Sequence, residues 1–132
     1  MPIVVHHPMQ YANKAKRGSG ENAGQCAVLP QDLLGSARCP KTCHWKRGAR
    51  VMDTVGLTPG TVIATFNSNG DYHFVPKHHL AHTALYVSHS AHGIVVVHQH
   101  SEIPTIKRHE YLVGPQATHV QSADNYYVVE VK

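Results

Sequence analysis

His82-Thr-Ala-Leu-Tyr-Val-Ser-His-Ser-Ala-His-Gly-Ile-Val-Val-Val-His98 decides the architecture of this 132-residue chain. Two runs rich in β-branched and aromatic residues, 82–88 and 93–98, flank a short stretch of Ser, His, Ala and Gly. That pattern predicts two antiparallel strands joined by a hairpin loop over 88–93. Working outward, residues 61–66 (Thr-Val-Ile-Ala-Thr-Phe), 105–112 and 125–131 have the same character, each bounded by Gly, Pro, Asn or Ser. Upstream the chain changes. Residues 8–16 predict a short helix opened by Pro8, and 17–24 a Gly-rich loop. Gln25 to Leu34 predicts a second helix closed by Gly35. Pro30 lies inside that helix and is expected to remove one backbone hydrogen bond and bend it. Helices first and a five- or six-stranded antiparallel sheet second describe an α+β fold, and the length suits one domain over 1–132.

Composition narrows the function. Hydrophobic residues make up 42% and charged residues 15%, which is compatible with a globular core. No apolar run approaches the roughly 20 residues needed to span a bilayer, so membrane insertion is not expected. Met1-Pro-Ile-Val-Val-His-His7 has neither a basic start nor a long apolar stretch, and reads as no secretory signal. The formal net charge of +4 and pI near 9.1 favour an anionic partner such as an acidic polymer. Nucleic acid is not expected: Lys14-Lys16-Arg17, Lys46-Arg47-Arg50 and Lys107-Arg108 lack interleaved aromatic residues on which bases could stack. The 13 histidines are scattered rather than gathered in a tract.

The candidate chemistry begins at Gly24-Gln25-Cys26-Ala27, where a Gly-rich loop delivers a cysteine to the start of a helix. The positive end of the helix dipole favours a thiolate there, and backbone N–H groups, that of Cys26 included, can hold an oxyanion. A buried structural cysteine is the plain alternative. Downstream, His82 opens one strand and His98 ends its hairpin neighbour. A nucleophile, a base and a third polar group that orients the base can therefore converge from three elements.

These residues, with Trp45-Lys-Arg-Gly48, Val51, and Pro59 to Phe66, follow one another as in a known family. Over residues 8–112 the chain resembles the papain-like NlpC-type and CHAP-type cysteine amidases. Specifically, it resembles the amidase effectors of the bacterial type VI secretion system, with the third group the nearest match. The resemblance implies Cys26 as nucleophile, His82 as general base and His98 as the orienting residue, without cofactor or metal. It implies a toxin made in the cytoplasm, exported by the secretion machinery without a signal peptide, and active in the periplasm of a target cell. There it would cut stem-peptide or cross-link amides of peptidoglycan. It further implies a cognate immunity protein that blocks the active site.

Other features carry expectations of their own. Cys39 and Cys43, separated by three residues in Cys-Pro-Lys-Thr-Cys, are within disulfide reach and are expected to pair in an oxidising compartment. His78, His79, His82, His98 and His100 allow a rival reading as a zinc-dependent, histidine-rich hydrolase. A second rival is a non-catalytic binding module with an inert Cys26. Asp71 and Tyr72 are expected on a loop surface, and Tyr126 and Tyr127 as one core and one surface residue.

Overall fold

The computed structural model describes residues 2–18, 23–72 and 81–132. In chain order its regular elements are α1 (Val28–Leu34), β1 (Trp45–Arg50), β2 (Val62–Ala64), β3 (Thr83–Ser90), β4 (Gly93–His98), β5 (Lys107–Leu112) and β6 (Tyr127–Val131), with short 3-10 turns at Pro8–Tyr11, Thr42–His44, Val51–Asp53, His119–Gln121 and Ala123–Asn125. The six strands form one antiparallel sheet in the order β1-β6-β2-β3-β4-β5. The expected α+β architecture, a few helical turns followed by a sheet, is what the chain adopts.

The expected β3–β4 hairpin forms, with a shorter loop than the expected 88–93 because β3 runs on to Ser90. It turns at Ala91-His92, and Leu85 faces Val97 across the ladder. Gly93 is required where β4 begins, because a Cβ there would run into the Tyr111 carbonyl of β5. Gly60 has a φ of 95°, and a side chain there would strike the Val5 carbonyl, so the N-terminal segment can lie directly against the start of β2.

Alternation along the strands splits the core between two faces. Trp45, Val62, Ala64, Leu85, Val97 and Val129 pack on one face with Leu29 of α1. Ile63, Ala84, Tyr86, Ile94, Val96 and Val128 pack on the other, beneath Val51, Tyr111, Ala123 and Tyr126. Leu29 is 1% exposed, so truncating it to Ala would cost about 2–5 kcal/mol and loosen α1 from the sheet.

Three expectations are corrected. Residues 8–16 hold one 3-10 turn, Pro8–Tyr11, in place of a helix. Asn13 then takes a φ of 67°, and its N–H donates to the Ile106 carbonyl while Ile106 donates back to Lys14, so the segment runs beside the start of β5. The second helix begins at Val28 rather than Gln25, with Ala27 as N-cap. Pro30 is its third residue, where an N–H has no intrahelical acceptor in any case, so no bond is lost and no bend follows. Strand β1 was not among the expected strands. Only Trp45 in it is buried, which leaves no alternating apolar signal. Trp45 anchors it by donating its indole N–H to the Pro40 carbonyl at 2.9 Å. Tyr126 is fully buried and Tyr127 half-buried, close to the expected division.

Candidate active site

Cys26 lies on the turn that leads into α1. Its carbonyl accepts the Leu29 N–H at 3.3 Å, and the Gln25 carbonyl accepts that of Val28 at 3.2 Å. His82 immediately precedes β3. Its backbone is held on both sides by Thr65: the His82 N–H donates to Thr65 Oγ1 at 3.0 Å, and Thr65 N–H donates to the His82 carbonyl at 3.0 Å. His98 is the last residue of β4. Cys26, His82 and His98 all line one cleft of about 490 Å³, at the end of the sheet where β3 starts and β4 stops.

The two histidines meet directly. His82 Nε2 lies 2.8 Å from His98 Nδ1, with the rings edge to face. The Tyr111 hydroxyl reaches the same His98 Nδ1 at 3.0 Å. His109 stacks on the His98 ring, and His100 packs edge-on against both histidines. Burial first, and then the neighbouring rings of His109 and His100, push the His98 imidazole down to about 3. His98 is therefore neutral at neutral pH and carries one ring proton.

On the cysteine side, Cys26 is 3% exposed, and burial pushes its thiol above the ordinary value. The Tyr72 hydroxyl, 3.5 Å from Sγ, opposes this most strongly, followed by the backbones of Thr83 and Ala27 and the Thr83 hydroxyl. The turn itself is clamped by Gln99. That fully buried side chain accepts the Arg17 N–H at 2.8 Å and donates to the carbonyls of Arg17 and Gln25 at 3.1 and 2.8 Å. Because neighbours on a strand point to opposite faces, the end of β4 sends His98 towards His82 and Gln99 towards the cysteine turn.

The profile of the domesticated amidase effector 2 family matches residues 2–129. The chain belongs to that family. A type VI secretion amidase effector 2 protein from Salmonella typhi is 30% identical over 139 residues, covering 93% of this chain and 99% of the relative. A solved structure titled type 6 secretion amidase effector 2 superposes with a TM-score of 0.79 at 26% identity, covering 98% of this chain and 94% of that one. The general assignment to amidase effectors therefore stands, and the third group suggested by the sequence is replaced by the second.

Within this domesticated amidase effector 2 member, the structure brings together all three residues singled out from sequence and adds others that were missed, among them Tyr111 beside His98, Tyr72 and Gln99. Tyr72, expected on a loop surface, is 9% exposed and touches Sγ. Its only sequence signal was the sequence Asp71-Tyr72 after a Gly turn, which says nothing of burial. Gln99 was legible only as the residue after His98. The expected Cys39–Cys43 pair is not formed. Cys39 is a free thiol in the core beside Trp45, pushed by burial up to about 12, whereas Cys43 is a free thiol exposed on the turn Thr42–His44. Their side chains face opposite environments. For the zinc reading, His78 and His79 lie outside the described residues. Among the described residues, no three His, Cys, Asp or Glu side chains are grouped so as to hold a metal ion.

Proposed function

We propose that this protein is a cysteine amidase that hydrolyses amide bonds of the peptide stems or cross-links of bacterial peptidoglycan. Family membership supplies the amidase and effector assignment. The observation that carries the mechanism is the 2.8 Å approach of His82 Nε2 to His98 Nδ1 in the cleft that also holds Cys26.

A neutral His98 protonated on Nε2 offers its Nδ1 lone pair to the Nε2–H of His82. That fixes the tautomer of His82 and leaves Nδ1 as its basic nitrogen. His82 Nδ1 takes the thiol proton of Cys26, and the thiolate attacks the amide carbonyl carbon. The oxygen becomes an oxyanion, for which the Cys26 N–H is the proposed donor. As the C–N bond breaks, His82 returns the proton to the leaving amine. Water, deprotonated by His82, then opens the thioester and releases the acid. In each half-reaction His82 takes one proton and gives it up again, first to the leaving amine and then to the departing Cys26 sulfur, and none passes to His98, which is too weak a base to receive it.

Delivery follows from the same family reading. The protein is an effector of type VI secretion that enters a target cell and reaches its substrate in the periplasm, and a cognate immunity protein seated over the cleft protects the producing cell. The deciding experiment is digestion of purified sacculi followed by mass spectrometry of the muropeptides. Wild-type protein should release cut stems or cross-links, and folded Cys26→Ala none. Hydrolysis by folded Cys26→Ala would sink the mechanism. Activity should also survive EDTA and be lost to iodoacetamide.

A further inference from the structure

We propose that Tyr72 is a further catalytic residue, whose phenol hydroxyl donates a hydrogen bond to Cys26 Sγ and stabilises the attacking thiolate. The inference rests on the reading of Cys26 as nucleophile, but its first observable is a property of Cys26 alone.

The direction of the hydrogen bond comes from a third residue. Thr83 Oγ1 donates to the Tyr72 oxygen at 2.8 Å. That bond occupies an acceptor site on the phenol, and among the described residues the phenol's single proton is left for the other close polar atom, Sγ, at 3.5 Å. The ring that carries the hydroxyl is fixed by the core. It meets Trp45 edge to face at a centroid distance of 5.1 Å and Phe66 at 6.2 Å. The donor is therefore placed by packing on the helix-bearing face of the sheet, and a loop motion is not needed to bring it to sulfur.

The chemistry of the site calls for such a donor. The sulfur of a residue only 3% exposed cannot rely on water to solvate its anion, so fixed dipoles must take that part. A phenol suits the role because its proton is acidic enough to bond well to an anion. It is also not surrendered, since burial raises Tyr72 well above its ordinary value. In the step itself the thiol proton passes to His82 Nδ1 and Tyr72 keeps its own. The S–H bond breaks, the S–C bond forms, and the phenol contributes only the hydrogen bond.

Tyr72→Phe keeps the ring and removes the hydroxyl. Iodoacetamide labelling of Cys26 across a pH series, resolved by peptide mass spectrometry to separate it from Cys39 and Cys43, reads the thiolate directly. The midpoint should move to higher pH, and labelling at pH 7 should slow by about 10- to 100-fold, the loss expected for a hydrogen bond to a charged group. On a soluble muropeptide kcat should fall by a similar factor, with KM nearly unchanged. If circular dichroism shows Tyr72→Phe to be unfolded, Thr83→Val is read in its place and should shift the midpoint in the same direction by less. An unchanged midpoint in the folded variant overturns the proposal. So does a lowered one, which would make Tyr72 an acceptor of the S–H proton. A raised midpoint together with an active Cys26→Ala enzyme would uphold the hydrogen bond and refute the cysteine mechanism instead.

Discussion

The proposed catalytic cleft has two halves, one around the proposed base and one around the proposed nucleophile, and they are built in different ways. The base half, His82, His98 and Tyr111 with His109 stacked beside them, comes from three neighbouring strands, and its two principal residues sit within one hairpin. The nucleophile half collects Cys26, Tyr72, Thr83 and Gln99 from four separated stretches, held by side-chain hydrogen bonds rather than by a ladder. A hairpin specifies its own geometry through register, so the base half is set locally. The nucleophile half exists only after the whole sheet has closed.

The largest effect should come from breaking the base half. His98→Ala removes the acceptor that fixes the tautomer of His82, and turnover should fall by about 10²- to 10⁴-fold with a smaller change in KM. His98→Asn and His98→Asp keep an oxygen acceptor at similar reach and should recover part of the rate. Steady-state kinetics on a soluble muropeptide checks both. Nearly full activity in His98→Ala would reduce the base half to His82 alone.

The contrast also explains what the sequence could tell. The hairpin strands were legible because their β-branched runs alternate between two buried faces, and with them came His82 and His98. Cys26 was legible from the glycines before it and the helix after it. Tyr72 was not, because its burial depends on Trp45 and Phe66, contacts that no local pattern encodes. β1 was missed for the related reason that it is a sheet edge with one buried residue, specified by its pairing with β6. The disulfide failed because spacing alone ignores that Cys39 packs inward and Cys43 outward.

Gln99 offers the second test, this time of the nucleophile half. Gln99→Leu preserves volume but strands the Arg17 N–H and two carbonyls, each bond being worth about 1 kcal/mol, so the urea midpoint should drop by the equivalent of about 3 kcal/mol. Activity per folded molecule should fall as well, since the turn carrying Cys26 loses its clamp. A large stability loss with full activity would show that the turn keeps its geometry without Gln99.

Acid should weaken the base half more gradually. An unfolded His98 takes up its proton near pH 6.5, whereas the folded one resists protonation down to about 3. The unfolded chain therefore binds more protons in that window, and stability falls as pH drops through it. Between pH 7 and pH 5 the loss from His98 should be about 2 kcal/mol, with a further contribution in the same direction from His109, whose imidazole burial also lowers. Urea unfolding at the two pH values should show a steeper dependence in wild type than in His98→Asn. Equal slopes would mean that His98 is solvated in the native state.

The least change in turnover is expected at Tyr111, whose removal separates the two donors that share one lone pair. Tyr111 hydroxyl and His82 Nε2 both approach His98 Nδ1, at 3.0 and 2.8 Å. The phenol stays protonated, since burial raises it, so it adds a second reason for His98 to carry its own proton on Nε2. Tyr111→Phe keeps the ring stacked on Tyr126 at 4.9 Å and removes the hydroxyl, with its bond to His98 and its polar contact with the Tyr126 hydroxyl. The remaining donor, His82, is the closer one and suffices to hold the tautomer in most molecules. Turnover should therefore fall by only about 3- to 10-fold, the worth of one neutral hydrogen bond, with KM unchanged. Nitrogen NMR of labelled His98 should still show the Nε2–H form dominant. A loss as large as that of His98→Ala would make the phenol the decisive partner of His98. A gain in rate would show instead that Tyr111 competes with His82 for the lone pair, and that the base half is held together by packing of its rings more than by its hydrogen bonds.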